Sequence, residues 1–291
     1  MASPITRAGG TRTRIRAALR YDPRAVASGV RRVYAGVLRH VVLAESIGCD
    51  LVWISERPFA PEAAIPAALP VCAAVAATTR TLRIGVGPLT LPVHHPIRVA
   101  EDCASLDGIS GGRVEVGLGL GASDDAFRGF GIETRGRGER LEEGIALLRE
   151  AWTGRPIRFE GRHYRVSDVG VSPTPDQAGG PPLWIGATVD GAVRRAARLG
   201  AGILATDLGT LQRYRAAWDA GIPAAAPRAA LEVDPRALGD RRFREALAEV
   251  VREAGLAVLD LVAPAQREGE FAGEAEIVPL LALRDALASG G

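Results

Sequence analysis

Residues suited to binding an anion follow a short apolar run in the second half of the chain. A strand is predicted over Pro182–Ala187 and a helix over Gly191–Leu199, with Thr188 and Asp190 between them. Free N–H groups at a helix N-terminus attract phosphate. A plain helix cap at Thr188 or Asp190 is the alternative. Positive charge on the helix comes from three arginines, Arg194, Arg195 and Arg198.

A glycine-rich segment, Gly117–Ala122 (GLGLGA), ends another predicted strand. It contains the spacing G-x-G-x-x-A, but a dinucleotide site needs an acidic residue about 20 positions later. The candidates there, Glu139 and Glu142, lie within a predicted amphipathic helix rather than at a strand end. The segment is therefore more typical of a strand end that lets a flat ring approach the backbone.

Three further patterns carry less chemistry. Gly108–Gly112 (GISGG) matches the G-x-S-x-G nucleophile pattern, but a helix precedes it and a strand follows, the reverse of what that motif needs. A glycine turn is the better interpretation. His94 and His95 are adjacent, so on an extended segment they point to opposite sides and give no metal spacing. Three cysteines lie in apolar patterns typical of buried packing residues: Cys49, Cys72 and Cys103.

Short apolar runs alternate with amphipathic segments along the chain. The predicted strands are Ile15–Tyr21, Asp50–Ser55, Leu82–Leu91, Arg113–Leu120, Pro182–Ala187, Gly202–Asp207, Ala229–Val233 and Leu256–Val262. The predicted helices are Arg24–Gly48, Ala63–Thr79, Pro96–Leu106, Gly138–Trp152, Gly191–Leu199, Leu211–Ala220, Asp240–Ala254 and Val278–Ala288. Strands that alternate with helices predict one α/β domain over 1–291, a (β/α)8 TIM barrel. A doubly wound sheet is the alternative.

Two segments interrupt this alternation of strands and helices. Gly154–Pro181 is rich in proline and glycine, which predicts an extended arm or hairpin inserted into the barrel. Gly87-Pro88 interrupts the third strand; because proline removes a ladder donor, a bulge is expected that moves Pro88 and Leu89 toward the barrel mouth.

The composition excludes several classes of protein. The chain has 291 residues, is 47% hydrophobic and carries a net charge of +2, with charge spread along it, so nothing indicates nucleic-acid binding. No segment predicts a membrane span, and we expect residues 1–11 to form a loose tail. Three cysteines do not make a disulfide framework, which favours the cytoplasm.

Several motifs together resemble the bacterial luciferase-like monooxygenase superfamily, from about Ala44 to Leu204. They are Ile47–Glu56, Leu82–Gly87, His95–Glu101, Leu106–Gly119, Gly138–Glu143, Gly161–Tyr164, Pro181–Gly186 and Arg194–Gly200. The combination is specific, although no single motif would be. The resemblance implies a (β/α)8 barrel, usually dimeric, that binds reduced FMN or the deazaflavin coenzyme F420 at the carboxyl ends of its strands.

The resemblance also assigns the cofactor site. A bulge in the third strand supports the cofactor ring, and the phosphate loop follows the later strand predicted over Pro182–Ala187. The residues implied to bind cofactor are Gly87, Pro88, Leu89, Thr90, Gly119, Leu120, Gly121, Gly186, Ala187, Thr188 and Val189. No metal is implied; a flavin or F420 reductase is a possible partner.

The chain departs from the family at four places. Glu56-Arg57-Pro58 stands where many members have Glu-His-His, so the usual histidine is missing. Leu120 replaces an arginine that helps to hold the phosphate in many FMN members, which favours F420 over FMN. Ala122 stands where some deazaflavin members have an acid, and Gly200-Ala201-Gly202 replaces Gly-Asp-Gly.

Three functions remain open from the sequence. The first is an F420-dependent hydride transfer on a small organic substrate, with an FMN-dependent monooxygenase as its alternative. In it, Glu56 or Arg57 would polarise the substrate and Asp22 would act as acid or base; salt bridges at the barrel rim are equally compatible. The second is a degenerate, non-catalytic barrel, and the third is a barrel with non-redox chemistry.

Overall fold

The computed structural model describes residues 13–23, 29–219, 226–267 and 270–289. The tail expected over residues 1–11 lies outside these ranges, as do the first residues of the helix predicted from Arg24 and the last residue of the one predicted to end at Ala220.

Eight of the described strands close into a parallel barrel. The strands are β1 (Arg14–Tyr21), β2 (Leu51–Ile54), β3 (Arg83–Thr90), β4 (Val114–Gly119), β5 (Ile157–Glu160), β6 (Arg165–Val169), β7 (Leu183–Ala187), β8 (Gly202–Ala205), β9 (Arg228–Glu232), β10 (Val258–Pro264), β11 (Gln266–Arg267) and β12 (Glu270–Phe271). The barrel order is β1-β10-β9-β8-β7-β4-β3-β2. The predicted barrel is therefore confirmed, and the doubly wound alternative is wrong.

The barrel strands form because most of their residues are apolar on both faces; the buried charged exceptions include Arg16, Glu115 and Asp260. All four residues of β2 are buried, as are the first five of β4. A strand covered on both sides reads as a continuous apolar run, which is the pattern that predicted these elements. Part of the core is a cluster that includes Ala18, Trp53 and Trp184.

Helices follow the strands. They are α1 (Val30–Ser46), α2 (Ala68–Thr78), α3 (Pro96–Ser110), α4 (Asp124–Gly129), α5 (Arg137–Ala151), α6 (Asp190–Arg198), α7 (Leu208–Asp219), α8 (Arg241–Ala254) and α9 (Glu274–Ser289). Helix α3 starts with a proline and ends at Gly111, whose φ of 67° is left-handed. Gly108–Gly112 is thus the end of a helix followed by a turn, as interpreted above. The sequence did not predict the short helix α4.

The insertion over 154–181 contains a hairpin, as predicted. Strands β5 and β6 pair antiparallel. The carboxylate of Glu143, on α5, accepts hydrogen bonds from the backbone N–H groups of Arg162, His163 and Tyr164 at 2.9, 2.9 and 3.3 Å. Two of the family motifs are therefore explained by structure, because one supplies the carboxylate and the other the hairpin turn that it caps.

The chain divides into two compact units. Unit 1 comprises the described residues of Met1–Asp22, Arg39–Trp53 and Leu183–Gly291; unit 2 comprises those of Pro23–Leu38 and Ile54–Pro182. Each unit is described by itself below. No described helix is both long and apolar enough to cross a membrane.

Candidate functional site

The bulge predicted in β3 is present. The register of β3 against β4 shifts between Val86 and Leu89, and the Gly87-Pro88 peptide bond is cis. Gly87 has a φ of +103°, and a Cβ there would lie 2.5 Å from the carbonyl oxygen of Gly117. Only glycine fits this position. Pro88 remains half-buried, whereas Leu89 and Thr90 are buried.

Two glycines at the end of β4 have different functions. A Cβ on Gly119 would face the Cβ of Pro88 at 3.4 Å, so its absence leaves a flat strip of backbone beside the bulge. A Cβ on Gly121 would lie 2.5 Å from Cγ2 of Thr90, and its φ is +79°, so this glycine is needed for packing. The strip next to Pro88 fits the flat ring that the resemblance implies.

Arg137 brings a guanidinium to this strand end, which the sequence analysis missed. Its Nη1 donates to the carbonyl oxygen of Gly121 at 3.3 Å. The family places its arginine at the position of Leu120, whereas here the charge comes from the first residue of α5. No signal in the sequence pairs these positions, because the contact depends on how α5 packs in unit 2.

Glu56 lies just beyond β2 and is held by β3 and the segment after it. One carboxylate oxygen, Oε1, accepts from the backbone N–H of Thr90 at 2.9 Å and lies 3.2 Å from Nε2 of His94. The Glu56 side chain is only 3% exposed, while that of His94 is 32% exposed. Of the three residues named as catalytic candidates, Glu56 therefore has a defined chemical environment.

The other two candidates lie at different places in the fold. Arg57 is exposed, and its backbone N–H donates to the carbonyl oxygen of Ile65 at 3.0 Å. Asp22 is half-buried directly after β1, in unit 1.

A groove of about 490 Å³ begins at Glu56, Leu89 and His94 and runs between α2 and α3. Its lower part is lined by one face of α3, including Arg98 and Ile109, and by the start of α2. The groove thus connects the carboxylate–imidazole pair with a face of α3 that carries both apolar and charged side chains, within unit 2.

In unit 1, the predicted phosphate loop leads into a helix with no side-chain cap. Val189 is the N-cap of α6, and no side chain accepts a bond there, so the simple cap at Thr188 or Asp190 is not formed. Thr188 and Val189 are exposed, while Ala187 is buried. Uncapped N–H groups keep the start of α6 available for an anion.

The arginine near this helix start is Arg213 of α7, which the sequence analysis did not name. Its Nε lies 3.0 Å from Oδ1 of Asp190. Arg195 and Arg198 lie in the last turn of α6 instead. At about 1.5 Å per residue, they are roughly 7–12 Å further along the helix axis, so their charge acts weakly at its start.

Unit 1 also carries a polar pair at the carboxyl ends of β1 and β9. Arg20 donates from Nη1 and Nη2 to both oxygens of Glu232, at 2.9 and 2.8 Å, and both side chains are about one-third exposed. Ala18 and Ala230, two residues earlier on each strand, lie in the apolar cluster. Because side chains alternate, the pair projects from the same face as that cluster.

The described residues do not support metal binding or thiol chemistry. Among the described residues, no group of three or more histidine, cysteine, aspartate or glutamate side chains is arranged to hold a metal ion. The three cysteines are free and buried, as predicted. Burial raises the pKa of the Cys49 thiol to about 12, so it stays protonated and unreactive at neutral pH.

Comparison with known proteins identifies the family. A model of the luciferase-like monooxygenase family matches residues 11–276. The chain belongs to this family. An F420-dependent glucose-6-phosphate dehydrogenase of Nakamurella multipartita is 34% identical over 171 residues, 57% of this chain and 50% of that protein. The chain spans about half the length of the curated relatives it matches.

Solved structures share the fold. Monooxygenase RslO1 from Streptomyces bottropensis superposes with a TM-score of 0.71 at 22% identity, over 94% of this chain and 97% of that one. The oxygenating constituent of 3,6-diketocamphane monooxygenase of Pseudomonas putida, a type II Baeyer-Villiger monooxygenase in complex with FMN, gives 0.69 at 18% identity, over 98% and 97%. At these identities the likeness concerns the barrel alone.

Proposed function

We propose that this protein is an oxidoreductase that uses reduced F420 to transfer a hydride to a small organic substrate. The observation that supports it best is the bulge at Gly87-Pro88 beside the side-chain-free backbone of Gly119. A flat ring stacks on such a surface without meeting a Cβ. The relative from Nakamurella multipartita, named as F420-dependent, supports the choice of cofactor.

The resemblance assigns the cofactor's ring to Gly87–Thr90 and Gly119–Gly121, and its phosphate to Gly186–Val189. Pro88 and Leu89 would support the ring, and backbone N–H groups at the start of α6 would bind the phosphate. When bound, the reduced cofactor supplies the hydride, while the protein orients the substrate and excludes water.

An FMN-dependent monooxygenase is the second candidate. Leu120 argued against FMN because it replaces the phosphate arginine. However, Arg137 brings a guanidinium to Gly121, the neighbouring residue, which compensates for part of that loss.

We further propose a homodimer located in the cytoplasm, with a flavin or F420 reductase as a possible partner. The support for a dimer is the groove beside α3, where the apolar side chain of Ile109 is 60% exposed. The free, buried cysteines agree with a reducing compartment. Light scattering of purified protein, with Ile109→Glu as the disrupting variant, tests the dimer.

A paired fluorescence titration with F420 and FMN at matched ionic strength tests the function. We expect micromolar binding of F420, and a loss of at least about tenfold in Gly119→Ala, because the added Cβ projects from the proposed ring surface. Gly108→Ala is the control, since its Cβ would meet nothing within 4 Å. Binding of FMN alone would select the second candidate. Binding of neither cofactor would overturn the proposal in favour of a degenerate or non-redox barrel.

A further inference from the structure

His94 lies between the buried carboxylate of Glu56 and solvent. Its Nε2 lies 3.2 Å from Oε1 of Glu56, which also accepts from the N–H of Thr90. The Glu56 side chain is 3% exposed and its Oε1 already contacts Thr90 and His94, so little of it faces the groove. The imidazole, 32% exposed, is the group of this pair that can touch a substrate.

The carboxylate determines which nitrogen of His94 faces it as a donor. A carboxylate oxygen accepts, so Nε2 carries a proton in the pair. Nδ1 is then the nitrogen available to exchange a proton, and it has no hydrogen-bond partner among the described residues. A carboxylate that orients an imidazole and stabilises its charged form is an arrangement used for general acid–base catalysis.

Two exposed phenylalanines adjoin this imidazole. The ring centroids of His94 and Phe130 are 6.0 Å apart, and those of Phe130 and Phe59 are 5.2 Å apart with an interplanar angle of 76°. Phe59 is 52% exposed and Phe130 45% exposed. Apolar rings that stay exposed beside a histidine provide a surface on which a planar, apolar molecule can stack.

The local backbone maintains this aromatic surface. Phe59 has a φ of +59°, which non-glycine residues adopt rarely and mainly at constrained sites. Its ring lies against Gly129 of α4, where a Cβ would come within 2.5 Å of the ring. The loop after β2 and the short helix α4 therefore meet through the Phe59 ring.

We propose that His94, oriented by Glu56, is the catalytic proton donor to a planar, apolar carbonyl substrate that packs against the exposed rings of Phe59 and Phe130. This inference rests on the proposed function, which supplies a reduced deazaflavin. The carbonyl carbon gains the hydride as the C–O π pair moves to oxygen. The oxygen takes the proton from Nδ1 of the His94 imidazolium. The substrate is reduced to an alcohol, the deazaflavin is oxidised, and a solvent proton restores the imidazolium.

In this proposal, His94 takes the place of the histidine that is missing at Arg57. The family's histidine after Glu56 is Arg57 here, which is exposed. His94 comes from the segment between β3 and α3, and its Nε2 lies 3.2 Å from Oε1 of Glu56.

Turnover of 2-naphthaldehyde, a planar aromatic aldehyde that hydride addition reduces to an alcohol, by the enzyme loaded with reduced F420 tests the proposal. We expect His94→Gln to lower kcat by about 10²–10⁴-fold with cofactor affinity unchanged. Free imidazole should restore part of the activity of His94→Ala. Phe59→Ala should mainly raise KM. His95→Asn, which alters the neighbouring exposed histidine, should retain wild-type kcat. A kcat for His94→Gln within about threefold of wild type, or for His95→Asn as low as for His94→Gln, would overturn the proposal.

A second measurement does not need the cofactor. The chain has four histidines, so their ring nitrogens can be assigned by NMR from single variants. 2-Naphthaldehyde should shift the His94 resonances in the wild type and not in Phe59→Ala. Unmoved His94 resonances would contradict the proposal even if F420 binds. If F420 and FMN both fail to bind while His94 still responds, the proposed function fails but the substrate surface stands.

Discussion

Replacing Gly87 by alanine should destabilise the protein much more than the same substitution at a glycine whose Cβ position is open. The alanine Cβ would collide with the backbone at two points, the N of Leu89 and the carbonyl oxygen of Gly117, the latter at 2.5 Å. Backbone atoms cannot rotate away as a flexible side chain can. The φ of +103° adds strain for any L-residue. Strain and overpacking each contribute about 1–3 kcal/mol, so we expect a total loss of roughly 3–5 kcal/mol.

Alanine substitutions at two other glycines separate the effect of backbone strain from that of the steric collision. Gly48 has a similar φ of +93° but nothing within 4 Å of its Cβ position, so Gly48→Ala should cost only the strain, about 1–2 kcal/mol. Gly108 lies within α3 with open space and an ordinary φ, so Gly108→Ala should stabilise by about 0.5–1 kcal/mol.

The free energy of unfolding is measured by urea denaturation of the three variants and the wild type, with comparable m-values as the check on two-state behaviour. Cofactor titration of folded Gly87→Ala then reports on the bulge itself. If Gly87→Ala lowers the free energy of unfolding no more than Gly48→Ala does, the argument is refuted. That result would mean that β4 moves away from the added Cβ at little energetic cost.

Two more predictions concern unit 1. Burial lowers the pKa of His40 in the folded protein below the unfolded value of about 6.5. As the pH falls below about 6.5, the unfolded state therefore binds a proton before the folded state does. The free energy of unfolding should be unaffected above that pH and should decrease as the pH falls toward the folded pKa. Urea unfolding at several pH values should show this slope, and His40→Gln should flatten it; an equal slope in both would contradict the assignment. Asp260→Ala removes the buried carboxylate that binds Nε and Nη2 of Arg16 at 2.6 and 2.8 Å. We expect a loss of about 3–5 kcal/mol. The double variant Arg16→Met/Asp260→Leu should recover much of it, and a single variant as stable as the wild type would show that the pair is dispensable.

The family of this protein was readable from sequence because its motifs are local. Apolar runs such as Leu51–Ile54 identified the strands, since strands buried on both faces are apolar at most positions. Pro88 predicted the bulge for an equally local reason, because proline has no N–H for the ladder. The glycine turn after α3 was likewise determined by the order of neighbouring elements.

The contacts that give the candidate site its chemistry were decided only by tertiary structure. Glu56 and His94 are 38 positions apart, and Gly121 and Arg137 are 16 apart. The sequence presented His94 as one of two adjacent histidines without metal spacing. It became part of a carboxylate–imidazole pair because Glu56 reaches across to the end of β3. Phe59 and Gly129 meet in the same way. Sequence patterns register burial along one element, whereas hydrogen bonds and ring contacts depend on which elements the fold makes neighbours.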